Sequence, residues 1–142
     1  MTETRSVVIE REIAFPPAKI WRALTQPHFI EAWLMQNDFA AEVDRPFTLR
    51  AEPRGDWNGV IDCRVLEMEP EKRLCYTWDS GNGPLRIAST VTWTLTPSGA
   101  GTLLRMEQSG FRSEQVQNFE GAKYGWRNFF AKLEELLART DE

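Results

Sequence analysis

The stretch from Phe119 to Leu137 constrains this chain more than any other. Phe119, Ala122, Trp126, Phe129, Phe130, Leu133, Leu136 and Leu137 recur at spacings of three and four, so they share one side of a helix. Lys123, Arg127, Asn128, Lys132, Glu134, Glu135 and Arg139 take the other side, where they stay in water. About 20 residues at 1.5 Å each give a rod of roughly 30 Å. Its stripe is aromatic toward one end and leucine-rich toward the other, and it must be buried against something. Most of the remaining chain reads as strand, so the partner is a sheet. Two readings of the aromatic half stay open: it fills a core, or it lines a cavity.

Ser6 to Ala14 reads as the first strand, with Val7, Ile9, Arg11 and Ile13 on one face. Phe15-Pro16-Pro17 ends it, and Pro17 suits the first turn of a helix with Ile20, Trp21 and Leu24 inside. Pro27 opens a second short helix that buries Phe29, Ile30, Trp33 and Leu34. Phe39 to Ala51 is a weak strand, Trp57 to Met68 a clear one, and Leu74 to Trp78 its neighbour across a turn at Pro70. Pairing Val65 with Leu74, Cys63 with Tyr76 and Ile61 with Trp78 gathers their apolar side chains on one face. Residues Ser80 to Pro84 form a loop. Ile87 to Thr96 alternates most cleanly, apolar residues against a row of threonines that suits a solvent face. Its partner runs from Thr102 to Ser109, with Leu104 opposite Leu95, Met106 opposite Trp93 and Gln108 opposite Val91. Ser113 is a candidate N-cap for the last helix, which starts between there and Gly121.

Short turns between consecutive strands make the sheet antiparallel. The predicted class is α+β: one domain over residues 1–142, with about six antiparallel strands curved around a long C-terminal helix and two short helices after the first strand.

A net charge of −4 with no basic run argues against nucleic acid as a partner, since that binding rests on neutralising phosphates. No apolar stretch approaches a membrane span, and no apolar signal core follows Met1 to Arg5. Cys63 and Cys75 fit reduced thiols, and a cytoplasmic location is expected. His28 is the single histidine, set at a helix start, which leaves no nucleophile–histidine arrangement without it. No CxxC, HExxH or carboxylate cluster marks a metal site, and no glycine-rich phosphate loop precedes a helix; neither metal nor cofactor is expected. The surplus lies in six Trp and eight Phe, rigid area that both cores and apolar ligand pockets use.

Three sets of residues carry a resemblance. Ala14-Phe15-Pro16-Pro17 leads into Ile20 to Thr25, then Gln26 to Ile30 and Trp33. Pro70, Arg73 to Trp78 and Val91 to Pro97 follow. Ser109-Gly110-Phe111, Gly125-Trp126, Leu133 and Leu137 complete it. In this order the chain resembles the activator of heat-shock-protein-90 ATPase homologues, within the START/Bet v 1-like helix-grip superfamily. The resemblance implies a helix-grip fold whose deep cavity holds apolar small molecules, on a scaffold that also serves cyclases and co-chaperones. Relatives often carry a histidine where this chain has Gln108, and a paired glycine where it has Asp44 to Phe47.

The expected function is binding of a hydrophobic or aromatic small molecule, of lipid, polyketide or flavonoid type. A cyclase or hydrolase acting on such a ligand and a heat-shock-protein-90 co-chaperone are the alternatives. The expected lining is Trp33, Phe47, Trp57, Tyr76, Trp78, Trp93, Met106, Trp126, Phe129 and Phe130, with Arg11 and Gln108 as polar points. Arg11 is either a solvated cation at a strand end or a charge that meets a ligand anion. Gly121 and Gly125, each costing about 1 kcal/mol against alanine in a helix, serve either close packing on a strand or space for a ligand. A monomer or homodimer accommodates all three functions.

Overall fold

The computed structural model describes residues 4–53, 55, 58–81, 87–112 and 115–140. Trp57, Ser113 and residues 82–84 of the expected loop lie outside them. The elements run β1 (Thr4–Ile13), α1 (Pro17–Thr25), α2 (Pro27–Trp33), β2 (Gln36–Asn37), β3 (Pro46–Arg50), β4 (Val60–Glu69), β5 (Arg73–Ser80), β6 (Ile87–Ser98), β7 (Gly101–Arg112) and α3 (Val116–Arg139). They form one antiparallel sheet in the order β1-β7-β6-β5-β4-β3-β2. The seventh strand, absent from the expectation of about six, is β2; it is only two residues long and too short to show a period.

Pro17 and Pro27 both stand at the first helical position, where a missing N–H costs nothing. The indole of Trp33 in α2 donates to the Ala23 carbonyl at 2.8 Å, an acceptor freed by the end of α1. That bond locks the two short helices together and turns Trp33 into the core, where it is 1% exposed.

The β6–β7 register follows from side-chain alternation: Leu95 faces Leu104, Trp93 faces Met106 and Val91 faces Gln108. The expected β4–β5 register is displaced. Val65 pairs with Tyr76 rather than Leu74, and Ile61 with Ser80 rather than Trp78. The turn lies later than that register requires, centred on Glu71: Glu69 pairs with Arg73, and Glu71 takes a left-handed φ of 64°. A bulge at Leu66 then inserts an extra, exposed residue. Next to the bulge the displacement is two residues, so Ile61, Cys63 and Val65 still face inward.

A second bulge lies in β7. Arg5 pairs with Phe111 and Ser6 with Ser109, which leaves Gly110 without a partner. Strict alternation from Met106 and Gln108 would send residue 110 inside; the extra residue sends Phe111 inside instead, 1% exposed. Gly110 has φ 109°, and a Cβ there would sit 2.9 Å from the Ala88 carbonyl oxygen. Gly110→Ala is therefore expected to lower stability by about 1–3 kcal/mol, read from urea unfolding. A variant as stable as the parent would mean that the bulge tolerates any residue.

Inside the sheet, Trp93 meets Trp33 and Trp126 edge to face and Phe130 at a tilt of 31°. Trp93 lies with ring centroids 5.6 Å from Trp33, 5.7 Å from Trp126 and 5.6 Å from Phe130. This cluster packs α3 and α2 onto β6.

Candidate functional site

Beside that cluster the packing stops. A cavity of about 620 Å³ opens between α3 and the sheet, within the size range of small-molecule sites. Strands contribute Ile61, Trp78, Ser80, Ile87, Gln108 and Phe111; α3 contributes Asn118, Gly121, Ala122, Gly125, Trp126 and Phe129; Met35 and Gly81 complete it.

Gly121 and Gly125 decide how this space is read. A Cβ built on either meets no atom within 4 Å, and neither has a positive φ. Neither close packing nor backbone geometry requires glycine, and both residues border the cavity. Gly121 is exposed and Gly125 half-buried, so what they supply is open room along that side of α3. Gly121→Ala and Gly125→Ala are each expected to raise stability by about 1 kcal/mol, measured by thermal or urea unfolding. A loss in either variant would mean that the open space is not there.

One polar chain crosses the cavity wall. The Trp126 indole donates to Gln108 Oε1 at 2.7 Å. Gln108 Nε2 donates to Ser89 Oγ at 2.9 Å, and Ser89 Oγ donates to the Trp78 carbonyl at 2.7 Å. An indole N–H only donates and a carbonyl only accepts, so both ends of the chain set the same amide orientation. Gln108 is 3% exposed and retains one N–H and one lone pair beyond these bonds.

Of the twelve residues expected in the lining, Trp78, Gln108, Trp126 and Phe129 border this cavity. Trp93, Met106 and Phe130 are filled core, 0–1% exposed, because the rings of the cluster consume the space around them. Trp33, Phe47 and Tyr76 surround a separate void of about 10 Å³, room for no more than about one water. Arg11 lies outside the cavity too. It lines a groove of about 540 Å³ between β1 and α3 with Phe119, Lys123 and Arg127. Its guanidinium donates to the Glu10 carbonyl at 3.1 Å and stands 5.9 Å from the Phe130 ring centroid. Sequence reasoning placed aromatic residues by face alone, and a face does not tell a filled part of a core from a hollow one. The signal for the missed lining was small residues on an apolar helix face.

Tyr76 accepts a hydrogen bond from the Trp93 indole at 3.1 Å, and burial pushes its phenol up from the ordinary value. It borders only the small void, so it offers no proton-transfer group to the cavity. Burial, reinforced by the carboxylates of Asp79, Asp62 and Asp38, likewise pushes the Cys63 thiol up. Both groups hold their protons more tightly folded than unfolded. Their stabilisation is intact below pH 9.0, the ordinary thiol value, and fades as pH rises above it. Stability is expected to be about 1–2 kcal/mol lower at pH 10 than at pH 8. Urea titration of the parent and of Cys63→Ala checks this; an unchanged profile in the variant would remove Cys63 as a cause.

Among the described residues, no group of three or more His, Cys, Asp or Glu side chains stands ready for a metal ion. Nor is any described helix long and apolar enough to cross a membrane.

An antiparallel sheet gripping a C-terminal helix, with an apolar cavity between them, defines the helix-grip class, START/Bet v 1-like. Within it, the chain belongs to the Activator of Hsp90 ATPase homolog 1-like protein family, whose model matches residues 14–138. Protein MLL2253 from Mesorhizobium loti is 55% identical, with a TM-score of 0.89 over 97% of this chain and 100% of that one. CalU16 from Micromonospora echinospora is 25% identical, with a TM-score of 0.77 over 96% of this chain and 78% of that one. DynU16, from the dynemicin biosynthetic locus, shares the fold at 22% identity and a TM-score of 0.80, over 94% of this chain and 47% of that one. No curated protein matches the chain.

Proposed function

We propose that this protein binds an apolar small molecule, of lipid, polyketide or flavonoid type, in the cavity between the sheet and α3. The observation that carries the reading is the pair of helical glycines that face open space. A helix that forgoes about 1 kcal/mol at each of two positions and fills neither gap keeps room for something. Four aromatic side chains, Trp78, Phe111, Trp126 and Phe129, supply contact area around that room. The cytoplasm is the proposed location.

Trp78 and Trp126 border the cavity and report occupancy directly. Tryptophan quenching and melting shifts against flavonoids, polyketides and fatty acids are expected to find ligands in the micromolar range. A library in which nothing binds better than millimolar would end the proposal.

The family's own description supports a second reading, contact with a heat-shock ATPase, for which the outer sheet face is the proposed surface. A pull-down with that ATPase and a turnover assay separate the two, because outer-face contact survives filling of the cavity.

A further inference from the structure

We propose that the occupant is an uncharged, flat ring system whose hydrogen-bond acceptor meets the remaining amide hydrogen of Gln108. This rests on the cavity being a ligand site and says which ligands it takes.

Charge comes first. None of the described residues that line the cavity is charged: its polar side chains are Ser80, Gln108 and Asn118. Among the described residues an ionised carboxylate or phosphate inside it finds no cation to pair with, and burial without a partner is prohibitive. The cationic side chains Arg11, Lys123 and Arg127 border the other groove, between β1 and α3.

Shape follows from α3. Gly121, Ala122 and Gly125 lie on the cavity side and together carry one methyl group. The two glycines are about 6 Å apart along the helix axis, so the strip between them is low. Trp126, Phe129 and Phe111 border the same space. A planar ring lies against such a strip with its face on backbone and its edges on aromatic side chains. A flexible chain gains the same contact only by giving up rotamer freedom.

Polarity is set by Gln108. Its oxygen is held by the Trp126 indole and one of its hydrogens by Ser89, so the amide does not turn. The other hydrogen is buried with the side chain and has no acceptor among the described residues. A ligand carbonyl supplies that acceptor, whereas a hydrocarbon leaves the donor unpaired.

Calorimetry with four matched probes tests this: acetylnaphthalene, ethylnaphthalene, ionised naphthoate and dodecanone. In the unmodified protein, acetylnaphthalene is expected to bind about tenfold tighter than ethylnaphthalene. It should exceed naphthoate by at least about a hundredfold and also exceed dodecanone. In Gln108→Leu the preference for acetylnaphthalene over ethylnaphthalene should shrink to about onefold. That variant leaves the Trp126 indole without its acceptor, so the ranking in the unmodified protein stands as a test by itself. Naphthoate binding as tightly as acetylnaphthalene, dodecanone binding tightest, or a preference that survives Gln108→Leu each overturns the inference and leaves the binding function standing. Binding weaker than millimolar for all four probes removes both.

Discussion

Trp93→Ala is expected to cost about 3–5 kcal/mol, the largest loss of any single truncation in this fold. Trp93 is 0% exposed and points from the middle of β6. Its ring touches Trp33 from α2 and Trp126 and Phe130 from α3. Removing it opens a hole where both helices meet the sheet, and close-packed rings relax only partly into such a hole. The Tyr76 hydroxyl also loses the indole that donates to it. For a chain of this size the loss corresponds to a melting point lowered by roughly 10–15 °C, read by circular dichroism. A loss under about 1 kcal/mol would show that the rings are loosely packed, and the core would have to be redrawn.

Gly125→Leu should have the opposite profile: a fold as stable as the parent or about 1 kcal/mol more so, with ligand binding weakened by at least about a hundredfold, near 2.7 kcal/mol. A Cβ at position 125 meets nothing within 4 Å and the residue borders the cavity, so the side chain starts in open space. The room it takes is the strip beside Trp126. Tyr124→Leu, one residue earlier at a position 69% exposed, is the control and should leave both quantities unchanged. If Gly125→Leu binds probes like the parent, the cavity is not where the ligand sits. If it unfolds, the space beside α3 is already occupied.

Most of the architecture was legible from residue patterns. The 3.6-residue period from Phe119 to Leu137 gave α3, although its start at Val116 depended on backbone the pattern does not report. The alternation of Ile87 to Leu95 gave β6 and its register with β7, because every inward residue there but Ser89 is apolar and each outward one is polar or small. β3 was legible only as a longer weak strand, since Pro46–Arg50 is short and its flanks carry no period. The β4–β5 register was missed because the turn is centred on Glu71 and alternation does not locate a turn; the bulge at Leu66 takes back one of the three residues of displacement.

The candidate site was legible by halves. Trp78, Gln108, Trp126 and Phe129 follow from period and parity; Phe111 reaches the cavity only through the Gly110 bulge. By itself the sequence determined which side chains turn inward, because burial of apolar surface fixes the face of every strand and helix. Only the tertiary structure decided which inward side chains touch one another and which border empty space. That depends on how far apart the elements stand, a distance set jointly by all the side chains between them. No single residue records it, and Gly121 and Gly125 hinted at it only by what they lack.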